Sequence, residues 1–295
     1  SEAMEIRTIH CPVDFSPISD RNLRMAIEMS KRIGSKIVLH HNLDVRPPGF
    51  MSVAWMWSED HQAEAEAQAE AVPAQLEALF AQIPEGIEYE ARVTKGPLDD
   101  TMLFVARGLP ADLIIMGTHG KSSGDHDSLT ERIVIQAPCS VLAIGEGYSP
   151  EAVFDAPQKP PVEEMRFLVP VDLTVRGESV LRMAFGAAAG MPHCIDLLHV
   201  VRPGQNADQE EREVEAAKER LRNLVPEAVA DRVRIHSRVG EPVPTILKVA
   251  EELDPLCIVM GAHGKGMLKR FLFGTTTLSI LHGAECPVWF VPEQQ

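Results

Sequence analysis

The chain has 295 residues, a formal charge of −15 and a pI near 5.2. That length suits two domains of roughly 150 residues, and no apolar run approaches the roughly 20 residues of a membrane helix. The acid excess and the lack of a basic stripe exclude a duplex-binding surface, so nucleic acid is not an expected partner.

The first residues, SEAMEIRTIHCPVD, hold no basic region followed by an apolar stretch, so no signal peptide is expected. The five cysteines, Cys11, Cys139, Cys194, Cys257 and Cys286, are odd in number, scattered and without a CxxC pair. They read as small buried hydrophobes of a reducing, cytoplasmic compartment, with no metal or disulfide framework.

In chain order, Ile9–Ser16 (IHCPVDFS) is an apolar strand ending in Pro-Val-Asp-x-hydroxyl. His40-His41 follow the second strand and read as structural. Pro47–Trp57 (PPGFMSVAWMW) is an insertion after that strand and holds two of the three tryptophans. Its readings are a loop folded over the core or a contact surface for a partner or apolar ligand. Glu59–Ala71 reads as a solvated helix face. Leu113–Lys121 (LIIMGTHGK) is a buried strand running into a glycine turn, and Gln136–Ile144 (QAPCSVLAI) ends in another strand. Glu146–Glu164 is rich in proline and acid, without sustained periodicity, and reads as a linker.

The first half is then written again. Phe167–Thr174 (FLVPVDLT) repeats the opening strand, Cys257–Lys265 (CIVMGAHGK) the glycine turn and Gly283–Val291 (GAECPVWFV) the last strand. Between these blocks the pattern predicts a helix over Ser179–Ala189, a strand over Ile195–Val201, and a surface helix over Gln209–Leu224 marked by Val214, Leu221 and Leu224. It then predicts a strand over Val233–Val239, a helix over Val243–Leu253 with proline near its start, a buried strand over Leu256–Met260, a helix over Thr276–Leu281 and a strand over Val288–Val291. β-α alternation with apolar strands implies two tandem five-stranded parallel-sheet α/β sandwiches. The expected division is a first domain over 1–147, a linker over 148–164 and a second domain over 165–295.

In such sheets ligands sit beyond the carboxyl ends of the strands. Two matched features fall there: Asp14 or Asp172 after strand one, and a glycine loop after strand four. In the second half two residues separate Gly261 from Gly264, and nine more lead to Gly274. Glycine lets a ligand approach the main chain. Gly274-Thr275-Thr276 opens a helix whose free N–H groups attract anions, and Lys265, Lys269 and Arg270 add charge. An ordinary strand–helix turn with a hydroxyl cap has the same look. Neither GxxxxGK[ST] nor GxGxxG is present.

Strand-PVD, GxHG after strand four, G-x2-G-x9-G-[ST] and a final PVxxV strand, taken together, resemble the universal stress protein family, as a tandem of two such domains covering both halves. The resemblance implies a five-stranded fold related to nucleotide-binding sandwiches, with one ATP-binding branch and one that does not bind. In the binding branch the strand-one aspartate and a main-chain group after strand two meet the adenosine, and the glycine loop wraps the phosphates. Carried onto this chain, those positions are Asp172, Val200, Gly261, Gly264, Gly274 and Thr275, with Thr276 beside them; ATP, with or without Mg²⁺, is the implied ligand.

The first half departs from the pattern. Gly117 and Gly120 remain, but counting back from the last strand sets Asp127-Ser128 where Gly274-Thr275 stand. Only the six residues Lys121–His126 separate Gly120 from Asp127. A carboxylate repels a triphosphate, so Asp14, Gly117, Gly120 and Ser128 form the weaker set. His119 and His263, in the GxHG turns, read as turn-stabilising. The resemblance further implies halves paired through their last strands as an intrachain pseudo-dimer, with a homodimer as a further state, and a role in stress response. Two rivals stand beside nucleotide-dependent regulation: a slow ATPase or nucleotidyl-transfer enzyme using Asp172 and Mg²⁺, and a nucleotide-independent protein that holds a partner through Phe50–Trp57.

Overall fold

The computed structural model describes residues 5–43, 59–118, 126–155, 165–173, 177–190, 193–262 and 275–292. The chain divides into two compact units. The first comprises Ile6–Gly117 with Gln136–Cys139; the second comprises Thr118–Ile135 and Ser140–Gln295, with Ser1–Glu5.

The first unit carries β1 (Thr8–Pro12), α1 (Pro17–Ile33), β2 (Lys36–Leu43), α2 (Glu59–Phe80), β3 (Tyr89–Lys95), α3 (Leu98–Gly108) and β4 (Leu113–Gly117). Its strands lie parallel in the order β3-β2-β1-β4. Local sequence sets the helix ends. Ser16 caps α1 by accepting from Ser19 N–H, Pro17 opens it, and Gly34 closes it at φ 73°, a left-handed angle that glycine takes without cost. Ile9, Cys11, Ile37, Leu39, Leu113 and Ile115 are buried, because strands of a covered parallel sheet are apolar on both faces. The first half of α2 is exposed over Glu66–Ala71, whereas Val72, Leu76 and Leu79 are buried; this matches the solvated face read from Glu59–Ala71.

The second unit begins with α4 (His126–Gln136, the last residue falling in the first unit) and β5 (Ser140–Ile144). It continues with α5 (Pro150–Phe154), β6 (Arg166–Pro170), α6 (Gly177–Gly190), β7 (Cys194–Val201), α7 (Ala207–Leu224), a 3-10 turn (Glu227–Arg232), β8 (Val233–Val239), α8 (Pro242–Leu253), β9 (Cys257–Gly261), α9 (Thr275–Gly283) and β10 (Val288–Val291). Strands β6 to β10 are all parallel, and β5 pairs antiparallel with β10 in the order β5-β10-β9-β6-β7-β8. The core is built from Leu168, Ile195, Leu197, Ile258 and Phe290.

Two expectations change. The apolar marks of α7 are Ala217 and Leu221, which are buried, while Leu224, its last residue, is exposed. The stretch read as an aperiodic linker holds α5. Ser149 caps it by accepting from Ala152 N–H, Pro150 opens it, and Tyr148 and Phe154 anchor it by burial. Two aromatics six positions apart in a proline-rich stretch carry no periodic signal, yet their burial anchors this short helix.

Candidate functional site

The carboxyl ends of β6, β7 and β9 gather three of the expected residues. The ladder pairs Pro170 with Leu198 and Phe167 with Cys257, so β6, which leads into Asp172, lies between β7, which carries Val200, and β9, which ends at Gly261. Val171 N–H donates to Leu198 O at 2.8 Å, and the His199 imidazole donates through Nδ1 to Val171 O at 2.7 Å. Asp172 is exposed. Leu173 follows it at φ 54°, and Arg220 of α7 donates to Leu173 O at 2.9 Å. A non-glycine residue at positive φ is strained, and such strain collects at sites that the surrounding structure holds in place.

The first unit repeats this turn. Val13 N–H donates to His40 O at 2.8 Å, His41 Nδ1 donates to Val13 O at 2.9 Å, and Phe15 sits at φ 62° with its ring 4.4 Å from that of His41. His41 and His199 are thus structural pins for the two aspartate turns. Asp14 Oδ1 accepts from Ser16 N–H at 2.9 Å. Burial pushes the Asp14 carboxyl up, but donors from Ser16 and Ser19 outweigh it and leave it below its ordinary value. Asp14 is therefore engaged with the start of α1. At the position matching Val200 stands Asn42, whose side chain donates to Gly96 O at 2.9 Å and accepts from Thr94 and Thr101.

The glycines also separate. A Cβ on Gly117 would overlap Ile18 Cγ2, whereas one on Gly261 would come 3.3 Å from Val180 Cγ2. Packing of α1 alone demands glycine at 117. Thr275 opens α9, Thr276 is half-buried and Thr277 is buried. Asp127 and Ser128 lie inside the first turn of α4. Gly120, Gly264, Gly274, His119, His263, Lys265, Lys269, Arg270 and the Pro47–Trp57 insertion lie outside the described residues.

Sequence reasoning missed two buried polar clusters. Asp196 on β7 is fully buried. It accepts from Arg166 Nε at 2.8 Å and from the second guanidinium arm at 3.0 Å, and from His236 Nε2 at 2.7 Å. Burial pushes its carboxyl up, but these donors outweigh that and hold it below the ordinary value. The signal was an acid within an otherwise apolar strand run. The other cluster is His10 with His40 in the first unit, their ring nitrogens 2.9 Å apart.

A broad cavity of about 1510 Å³ lies at the opposite end of the second unit, against Met165, Arg166, Leu256 and Cys286 at the starts of β6, β9 and β10. It is remote from Asp172 along the strands. Among the described residues no group of three or more His, Cys, Asp or Glu is placed to hold a metal, and no helix is long and apolar enough to cross a membrane.

The comparisons agree with this architecture. The model of the universal stress protein family matches twice, over residues 5–145 and 165–292. A universal stress protein of Mycobacterium tuberculosis is 28% identical over 265 residues, covering 84% of this chain and 83% of its own. One from Synechocystis is 31% identical over 144 residues, covering 47% of this chain and 85% of its own. Among solved structures, a universal stress protein from Archaeoglobus fulgidus superposes with a TM-score of 0.64 at 17% identity, over 98% of this chain and 97% of that one. With both repeats matched by the family model, the chain belongs to the universal stress protein family.

Proposed function

We propose that the second repeat binds ATP or a related adenine nucleotide and that the protein acts through this binding in stress response. The observation that carries the reading is the convergence of Asp172, Val200 and Gly261 at one edge of the sheet, through the β6–β7 and β6–β9 registers. Asp172 is exposed beyond the end of β6. Its carboxylate accepts from ribose hydroxyls, the main chain at Val200 reads the base edge, and Gly261, Gly264, Gly274, Thr275 and Thr276 surround the phosphates with N–H and hydroxyl donors. The first repeat, with Asp14 capped, Asn42 tied to Gly96 and Asp127 in the first turn of α4, binds nucleotide weakly or not at all.

The domains in this reading run over 1–147 and 165–295. Calorimetric titration with ATP, with and without Mg²⁺, tests it. One site per chain is expected, and Gly274→Asp, which copies Asp127, removes it. A folded Gly274→Asp protein with unchanged affinity refutes the assignment. Two sites per chain would mean that Asp127 does not disable the first repeat.

A further inference from the structure

The first unit contains a chain of buried polar groups that no step of nucleotide binding uses. His10 on β1 is fully buried and His40 on β2 nearly so. His10 Nε2 lies 2.9 Å from His40 Nδ1, and His40 Nε2 lies 2.6 Å from Thr94 Oγ1 on β3. Thr94 donates to Asn42 Oδ1 at 2.9 Å, Thr101 of α3 donates to the same oxygen at 3.1 Å, and Asn42 donates to Gly96 O. The proton positions follow. Because the Thr94 hydroxyl donates to Asn42, it accepts from His40 Nε2–H. His40 Nδ1 is then a lone pair and accepts from His10 Nε2–H. His10 Nδ1 is left as a bare acceptor, buried with no partner, an arrangement that costs free energy.

A proton from bulk water has one free lone pair to occupy, His10 Nδ1, and creates there a cation to which, among the described residues, no carboxylate is hydrogen-bonded. On β2 the neighbour is His41, whose Nδ1 donates to Val13 O. On β3 the groups are Arg92 and Glu90, and Glu90 is committed to Lys36 at 2.7 Å and Arg92 at 2.8 Å. On β1, burial holds the Cys11 thiol protonated. On α3 stand Asp99, Asp100 and Arg107; among the described residues none of these carboxylates pairs with either imidazole. The repeat supplies the contrast: the positions matching His10 and His40 are Leu168 and Leu198, both fully buried.

We propose that the His10–His40 pair is an acid-sensitive latch: a proton taken up at His10 Nδ1 leaves the hydrogen bonds in place but sets a buried charge between β1 and β2, and hydration of that charge opens the carboxyl end of the first unit's sheet. The inference is independent of nucleotide binding. Burial lowers His10 to about 3, with the charge of His40 adding to it, and lowers His40 to about 4, with His41 adding. The open form, with imidazoles near 6.5, binds protons that the closed form refuses. The latch is therefore closed above about pH 6.5 and weakens as pH falls from there toward 4.

At pH 5 each imidazole favours opening by about 30-fold relative to pH 8, and the pair by about 1000-fold. Hydrogen exchange on the full chain at pH 7 and pH 5, corrected for intrinsic rates, reads this. In the unmodified protein, protection across β1–β3 and the start of α3 falls by two to three orders of magnitude. In His10→Leu/His40→Leu, which copies the second repeat, it stays within about tenfold. An equal loss in both proteins overturns the proposal. Histidine-labelled NMR of the unmodified chain provides a readout that needs no variant: two imidazoles still neutral at pH 5 are expected, and titration of His10 and His40 near pH 6.5 overturns the latch.

Discussion

Replacing Asp196 by asparagine keeps the shape of the side chain and removes its charge. The Arg166 side chain is 21% exposed and Asp196 1% exposed, so the guanidinium is left mostly out of water without its anion. Removing one partner of a buried pair costs about 3–5 kcal/mol. The fraction of Arg166 that reaches water, and the amide oxygen that still accepts one N–H, place this change near the lower figure, about 3 kcal/mol. With a urea slope of about 2 kcal/mol per molar, the midpoint of the second unit falls by roughly 1.5 M. Far-UV circular dichroism in urea measures it, and hydrogen exchange of β6–β8 assigns the shifted transition. The contribution is present above the ordinary carboxylate range and is lost as pH falls through the depressed value of Asp196, so the gap between the two proteins closes below about pH 4. A triple change, Arg166→Met/Asp196→Leu/His236→Leu, recovers most of the loss, because an apolar set requires no paired desolvation. A loss under about 1 kcal/mol for Asp196→Asn, or a triple variant as weak as the single, refutes the reasoning.

Two further changes test local geometry. Gly117→Ala forces a methyl into Ile18 of α1 and costs about 1–3 kcal/mol by overpacking, while Gly261→Ala, with 3.3 Å to Val180, costs less; thermal melts compare them, and Ile18→Ala added to Gly117→Ala restores most of the loss. Asp254 ends α8 at φ 45° on the surface, so Asp254→Gly relieves the left-handed strain and raises stability by about 0.5–1 kcal/mol in a urea titration.

Much of the architecture is legible in the residues. Three repeated blocks reveal the tandem, and the β8 and β10 boundaries, Val233–Val239 and Val288–Val291, coincide with the runs that mark them. The PVD blocks point to the strand-end turns, because their apolar run and aspartate are adjacent in sequence. What stays hidden depends on partners distant along the chain. Asp196 lies 30 positions from Arg166 and 40 from His236, and only the β6–β7–β8 registers bring them together. His40 reads as structural, but its partner His10 lies 30 positions away, and only the β1–β2 ladder brings the two together. Gly117 and Gly261 look equivalent in sequence; only their packing against Ile18 and Val180 separates them.

The place of β10 has a consequence for synthesis. It is an interior strand, held on one side by β9 and on the other by β5, yet it is the last strand of the unit to be made. Val288 pairs with Ala143, a closure over roughly 145 residues that must be met before those contacts give any return. While the ribosome is still translating the stretch before residue 288, β5 and β9 present bare edges to other chains. Nascent second units are then open to the wrong partners, and a truncation that removes β10 exposes two edges at once rather than shortening one.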